Sequence, residues 1–127
     1  MENTYWRFGV AANIAEYHTG EDGKKYRGTK PFSPGTKVYL GGKVWDSEQN
    51  CIGVVGRNRF GRVALEFIPL ECLENVRTQR IFKPCVLRII DREEAYEGWE
   101  WWGRTSQDRK DARDFVKDWN NRLKHKI

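Results

Sequence analysis

Hydrophobic and polar positions alternate in short runs along the first 90 residues, which is the period of a β-strand. In residues 5–14, Trp6, Phe8 and Val10 fall on one face of such a strand. Later runs of the same kind, each bounded by turn-forming residues, cover residues 37–40, 43–45, 51–55 and 63–70. Gly41-Gly42 predicts a hairpin turn between the first two of them. The pattern predicts a mostly β core of five or six antiparallel strands.

The segments between these runs carry weaker signals. Residues 16–30 are polar, charged and glycine-bearing, which predicts a long loop. Residues 70–76 are compatible with one helical turn. Residues 77–90 are rich in β-branched residues and contain Pro84, which argues against a long helix. We therefore expect an extended segment over 77–90 that is broken or bulged at Pro84.

The pattern changes to a helical period near residue 106. Thr105 and Ser106 followed by Asp108 resemble the start of a helix, with a hydroxyl ahead of a carboxylate. An apolar stripe then recurs at helical spacing, formed by Ala112, Phe115, Val116, Trp119 and Leu123. We predict a helix over 106–124 that docks on the β core through this stripe.

Length and composition place the chain among ordinary soluble proteins. At 127 residues, 39% hydrophobic and 32% charged, it is expected to form one domain, 1–127, with a β-barrel core at 1–90, an acidic, Trp-rich connection at 91–105 and the helix at 106–124. The three cysteines form no CxxC motif, which favours buried thiols in a reducing compartment. No apolar stretch approaches the roughly 20 residues of a membrane span, so we expect a cytoplasmic protein without a membrane partner.

A turn rich in arginine follows the strand at 51–55. Arg57, Arg59 and Arg62 lie between Gly56 and a second valine-led run, with Gly61 inside the turn and no acid in residues 53–62. Guanidinium groups bind phosphate and carboxylate bidentately, so an exposed turn of this kind suits an anionic partner. The alternative is that these arginines pair with acids of the same chain.

An acidic segment that is also rich in tryptophan lies near residue 100. Its carboxylates are Glu93, Glu94, Glu97 and Glu100, and its rings include Tyr96, Trp99, Trp101 and Trp102. Neighbouring tryptophans on a strand point to opposite faces, so at least one ring is expected at the surface. Exposed aromatic rings beside charges are typical of protein interfaces, and we predict partner-binding roles for Glu93, Glu94, Glu97, Glu100 and the three tryptophans.

Candidate chemistry is sparse. His18 and His125 have no nucleophile, acid or metal-ligating partner at a recognisable spacing. The pairs Glu93 with Glu94 and Glu97 with Glu100 are better explained as solvated acids than as catalytic carboxylates. We therefore expect no catalytic, metal-binding or cofactor-binding residues and no enzyme activity.

Three segments, residues 54–62, 68–80 and 98–104, are similar to those of small bacterial immunity-type proteins of polymorphic and contact-dependent growth inhibition toxin systems. The resemblance implies a cytosolic protein that neutralises a cognate toxin by tight binding. This chain departs from members directed against basic nucleases, which tend to be acidic, because its 23 cations and 18 anions give a net charge of +5.

A second resemblance concerns the order of the elements. Residues 34–40 follow a long first loop and precede several short strands, a layout similar to that of SH3-like barrels. It implies a small, partly open SH3-like barrel of mostly β (α+β) class with one C-terminal α-helix. Barrels of this kind also bind nucleic acids. The alternative function is therefore a nucleic-acid-binding module in which Arg57, Arg59 and Arg62 hold phosphates.

Overall fold

The computed structural model describes residues 7–20, 22–40, 51–81, 83–94 and 106–125. In chain order, the elements of this part are β1 (Arg7–Ile14), β2 (Tyr17–Thr19), β3 (Lys25–Arg27), β4 (Lys37–Leu40), β5 (Cys51–Arg57), β6 (Val63–Pro69), a 3-10 helix (Leu70–Cys72), β7 (Leu73–Ile81), α1 (Pro84–Glu94) and α2 (Ser106–His125). The strands predicted at 5–14, 37–40, 51–55 and 63–70 and the helix predicted at 106–124 match β1, β4, β5, β6 and α2.

Of the described strands, five form one antiparallel sheet in the order β6-β5-β4-β1-β7, and β2 and β3 form a separate pair. The large sheet is open, since β6 and β7 are its two edges. The predicted mostly β, α+β class with five antiparallel strands and a C-terminal helix is confirmed. The resemblance to SH3-like barrels stays a prediction. The predicted hairpin at Gly41-Gly42 and its return strand lie outside the described residues.

The sheet is strongly curved. The 3-10 helix connects its two edge strands, and Pro69 and Leu73 at the ends of this link can be separated by at most about 14 Å of extended chain. The outer strands of a flat five-stranded sheet would be about 19 Å apart. The amide of Ala15 donates a 2.8 Å hydrogen bond to the carbonyl of Cys72, which holds the link against the end of β1. The curvature therefore brings the two edges close at this end of the sheet.

One face of the sheet is covered by α2, which packs on β1 and β7. Val10, Val38 and Val54 are fully buried in this cluster, and α2 contributes Ala112 and Trp119. Phe115 and Val116 of the predicted apolar stripe pack at its margin. The side chain of Leu123, also in that stripe, lies outside the described part.

The opposite face is covered by α1, which packs on β5 and β6. Val86 and Leu87 of this helix are buried with Tyr39 and Val55 of the sheet. Successive residues of a strand point to opposite faces, so adjacent positions 54 and 55 serve different clusters. The described part of the chain is thus a curved sheet between two helices.

The prediction of an extended segment over 77–90 was wrong in its second half. β7 ends at Ile81, and Pro84 begins α1 rather than breaking a strand. Proline is well tolerated at the first helical position, where no intrahelical N–H bond is required and its fixed φ already suits the helix. The amide of Leu87 donates a 2.9 Å bond to the carbonyl of Lys83, which closes the first turn. The predicted connection at 91–105 accordingly begins inside a helix that ends at Glu94.

The prediction of a long loop over 16–30 was also wrong in part, because β2 and β3 form a short hairpin there. Tyr17 pairs with Arg27, and His18 pairs with Tyr26. The amide of Gly20 donates a 2.8 Å bond to the carbonyl of Lys24 and closes the turn. Similarly, the helical turn predicted over 70–76 covers only the 3-10 helix at Leu70–Cys72, and the chain is extended from Leu73, where β7 begins.

Candidate functional site

The arginine turn is a five-residue connection between β5 and β6. The side-chain oxygen of Asn58 accepts hydrogen bonds from the amides of Phe60 (2.9 Å) and Arg62 (3.1 Å). Gly61 adopts φ +80°, a left-handed conformation that glycine takes without strain. Phe60 stands at the tip with 88% of its surface exposed. The turn is therefore ordered by its own polar contacts while its largest apolar side chain faces solvent.

The three arginines at this turn, of which Arg57 is the last residue of β5, play different roles. Arg57 donates to the carbonyl of Gly61 and helps close the turn. Arg59 reaches across to the segment after β3, where it donates to the carbonyl of Thr29 through Nε (3.1 Å) and Nη2 (2.9 Å). Arg62 is exposed, and its side chain makes no hydrogen bond to any described residue. The guanidiniums share one exposed turn, as predicted, but two of them also hold backbone carbonyls.

A groove of about 680 Å³ lies beside this turn, between the β2–β3 hairpin and the edge strand β6. This volume falls within the range of small-molecule pockets. The lining residues come from the hairpin and the loop after it (His18, Tyr26, Arg27, Gly28, Thr29, Lys30, Pro31), from the arginine turn (Arg59) and from β6 and the 3-10 helix (Glu66, Phe67, Ile68, Pro69, Cys72). We call this feature the hairpin groove.

Aromatic rings occupy two walls of the hairpin groove. His18 and Tyr26 stack with ring centroids 5.9 Å apart and planes inclined by 29°. Phe67 lines the β6 side with 63% of its surface exposed, and Tyr26 is 45% exposed. Contiguous exposed apolar patches rimmed by polar residues often mark interaction sites or ligand-binding grooves. These rings provide apolar contact area on both sides of the groove.

The charges of the hairpin groove are mostly positive. Arg27, Lys30 and Arg59 line it, and Glu66 is the single acid among its lining residues. Arg27 also lies 3.8 Å from Glu16, but both side chains are exposed and such a pair contributes little. An anionic ligand would therefore meet three cations at the rim of an apolar floor.

Two titratable groups of the hairpin are coupled by a hydrogen bond. The Tyr26 hydroxyl donates to Asp22, and this bond lowers the pKa of the Asp22 carboxyl and raises the pKa of Tyr26. The amide of Lys24 donates a further 3.0 Å bond to Asp22. The contacts fix the turn of the hairpin and orient the Tyr26 ring, which lies along the groove.

Cysteines contribute one buried thiol to the groove wall. Cys72 is buried, and burial raises its pKa to about 11. Cys51 is half-buried and Cys85 is exposed, and all three are free thiols. The expectation of buried cysteines holds for Cys72 and is wrong for Cys85, which lies in the first turn of α1.

The acidic, Trp-rich segment lies largely outside the described residues. That part includes Glu97, Trp99, Glu100, Trp101 and Trp102. Glu93 and Glu94 form the end of α1. The alternative that these acids pair with the arginine turn therefore stays a hypothesis from the sequence.

Among the residues that line the groove, the sequence predicted a binding role for Arg59 alone, and it missed Tyr26, Arg27, Lys30 and Phe67. The first three lie in the segment taken as a loop. A signal was present, because two short runs with aromatic residues flank a Gly-containing turn at 20–23, which is typical of a hairpin. Phe67 lies in a predicted strand, but nothing in the strand pattern shows that a hairpin faces it.

No group of three or more His, Cys, Asp or Glu residues in the described ranges is placed to hold a metal ion. Of the helices described, none combines the length and apolar character needed to cross a bilayer. Comparison with protein-family models, with curated proteins and with solved structures finds no match.

Proposed function

We propose that this chain is a non-catalytic protein-binding module that holds an acidic segment of a partner protein in the hairpin groove. The observation that supports it is the groove itself, which combines exposed aromatic rings on an apolar floor with a rim of three cations. Interfaces draw affinity from buried rings and arginines and specificity from charge complementarity. The biological role that we propose is immunity, in which the partner is a cognate toxin neutralised by tight binding.

The test is co-expression with the product of a large gene encoded directly upstream of this chain, which the immunity role requires to be its cognate toxin. We expect co-purification and protection of the cells. The double variant Arg27→Ala, Lys30→Ala should weaken both, because it removes two rim cations from an exposed surface without touching the core. The matched control is Arg109→Ala, Lys110→Ala, which removes two exposed cations from α2. Without protection by the unmodified chain, the immunity role is wrong; equal loss in both variants would mean that the groove is not the contact.

A second contact is proposed from the sequence in the acidic, Trp-rich segment. Reversing the charges of Glu93, Glu94 and Glu97 together with Trp101→Ala should raise the dissociation rate of the complex. Surface plasmon resonance on the purified complex measures this rate. An unchanged rate would confine the interface to the hairpin groove and the arginine turn.

A nucleic-acid partner is the second candidate function. It is favoured by the stacked pair of His18 and Tyr26 in a groove with three cations, because single-stranded nucleic acids bind through stacking platforms beside positive charge. Fluorescence anisotropy with labelled single-stranded RNA and DNA at low salt tests it. If they bind, Arg57, Arg59 and Arg62 changed to Ala should each reduce the salt slope by about one unit. Absence of binding at low salt removes this candidate.

A further inference from the structure

Arg59 is held in place before any ligand arrives. Its Nε and Nη2 donate to the carbonyl of Thr29, and its Nη1 lies 3.4 Å from the hydroxyl of Ser33. Its backbone amide donates a 2.9 Å bond to the carbonyl of Pro31. An arginine fixed in this way has already lost the rotamer freedom that ligand binding would otherwise remove. The side chain is nevertheless exposed at the wall of the hairpin groove.

These contacts leave the positive charge of Arg59 uncompensated. A guanidinium has five N–H donors, and the three bonds above use one each on Nε, Nη1 and Nη2, so two donors remain. The carbonyl and hydroxyl acceptors are neutral. No carboxylate of the described residues lies within ion-pair distance of this group. Arg59 is thus a preorganised cation with one spare N–H donor on each of Nη1 and Nη2, and such donors form charge-assisted hydrogen bonds with a carboxylate.

The segment that seats Arg59 is built around a glycine. Gly28 has φ +64°, and a Cβ there would lie 2.9 Å from Cδ of Pro34 and 3.1 Å from Nη2 of Arg59. The next residues form a closed turn, in which the hydroxyl of Thr29 accepts a 2.9 Å bond from the amide of Phe32. Arg59 can therefore approach this loop closely because position 28 is a glycine and has no side chain.

We infer that Arg59 anchors a carboxylate of an acidic partner segment, while an apolar side chain next to that carboxylate packs on the exposed rings of Tyr26 and Phe67. The inference rests on the proposed protein-binding function and specifies the chemical groups that the groove would recognise, a carboxylate beside an apolar side chain. Arg27 and Lys30 on the same rim attract the segment. Glu66 lies in the same lining and repels a continuous phosphate backbone more than isolated carboxylates. This difference favours an acidic peptide over a nucleic acid.

The direct test is an NMR titration of the unmodified chain with the blocked tripeptide acetyl-Phe-Glu-Phe-amide at millimolar concentration. We expect the Arg59 Nε–Hε resonance to shift in a saturable way, together with ring resonances of Tyr26 and Phe67. The matched peptide with Gln in place of Glu should bind at least about tenfold more weakly, since a charge-assisted contact is lost. No saturable shift at Arg59, or equal shifts with both peptides, overturns the inference. A hexathymidylate that shifts Arg59 where the peptide does not would assign the site to nucleic acid instead.

Two variants separate this site from the proposed function. Arg59→Lys should weaken peptide binding at least about tenfold, because an ammonium cannot keep the Thr29 carbonyl and bind a carboxylate bidentately. Arg109→Lys, at an exposed arginine of α2 outside the groove, is the control and should leave binding unchanged. Thermal unfolding of each variant shows whether the fold is retained, and the wild-type titration decides the question without any variant. If Arg59→Lys leaves the toxin complex intact, this inference fails and the proposed function stands. If the peptide binds at Arg59 but no toxin complex forms, the inference stands and the proposed function fails.

Discussion

The hydrogen bond between Tyr26 and Asp22 makes the β2–β3 hairpin sensitive to pH at both ends of the scale. Asp22 has a pKa below its usual 3.8, so its contribution is present above that value and is lost as the pH falls through the lowered pKa. Tyr26 has a pKa above its usual 10.0, so its contribution is present below that value and is lost as the pH rises through the raised pKa. The contact is therefore complete across the neutral range.

Replacing Tyr26 with Phe should return the pKa of Asp22 toward 3.8, because the hydroxyl bond is the main cause of the shift. The carboxyl carbon resonance of Asp22, followed by NMR against pH, measures the change. Tyr17→Phe is the matched control on the opposite strand, where the ring is 57% exposed. An unaltered Asp22 titration in Tyr26→Phe would contradict the assigned cause.

At the residue scale, the sequence identified the right turn but not the roles of its side chains. Three arginines within six residues predicted an exposed cationic turn, and that is observed. The role of Arg59 differs from that of Arg62 because Arg59 donates to the carbonyl of Thr29, which lies 30 residues away in the chain. Contacts of this kind arise from the fold and have no local pattern.

At the scale of elements, the two helices show what periodicity does and does not predict. α2 carries its apolar stripe over several turns and was predicted within one residue at its C-terminal end. α1 has 11 residues and starts with proline in a β-branched segment, so its local pattern favours an extended chain. Its helical state is supported by packing of Val86 and Leu87 on the sheet, which a local pattern cannot show.

Leu87→Ala should destabilise the fold by about 2–5 kcal/mol, because this fully buried side chain fills the contact between α1 and the sheet. Urea unfolding followed by tryptophan fluorescence measures the loss. Arg88→Ala, on the exposed side of the same helix, should change stability by less than about 0.5 kcal/mol. Similar small effects in both variants would mean that α1 does not dock through Leu87.

Trp119→Ala should cost about 3–5 kcal/mol, because the ring is 3% exposed and packs on Phe115 at a centroid distance of 6.0 Å. The neighbouring Lys117→Ala, which truncates an exposed side chain of the same helix, is the control. Chemical unfolding monitored by circular dichroism gives both values. A loss below about 1 kcal/mol for Trp119→Ala would show that α2 is held by another face.

Across the molecule, the three thiols differ in burial: Cys72 is buried, Cys51 is half-buried and Cys85 is exposed. At about pH 8, iodoacetamide should modify the exposed Cys85 first and Cys72 last, since Cys72 is buried and its pKa is raised to about 11. Mass spectrometry of timed samples measures the order. The Cys85→Ser variant should lose the fast modification step. In urea, which unfolds the chain, its two remaining thiols, Cys51 and Cys72, should react at similar rates. Equal native rates at Cys72 and Cys85 would contradict the packing around the 3-10 helix.

The fold class was predictable from the sequence because short alternating runs and one long amphipathic helix are local signals. The hairpin groove was not, since its walls come from three separated segments that meet only after the sheet curves. Gly28 illustrates the point: its conformation and its closeness to Arg59 follow from tertiary contacts. Sequence patterns located one wall, the arginine turn, and left the other two unassigned.

The central position of β1 has a consequence for synthesis on the ribosome. β1 leaves the ribosome first, yet one of its two neighbours in the sheet is β7, whose last residue pairs with Arg7. The meander of β4, β5 and β6 relies on contacts between strands that are neighbours in sequence, which form readily. β1 must wait for residue 81 before both of its sides are paired. We therefore expect β1 of a nascent chain to stay sensitive to protease until residue 81 has emerged from the ribosome.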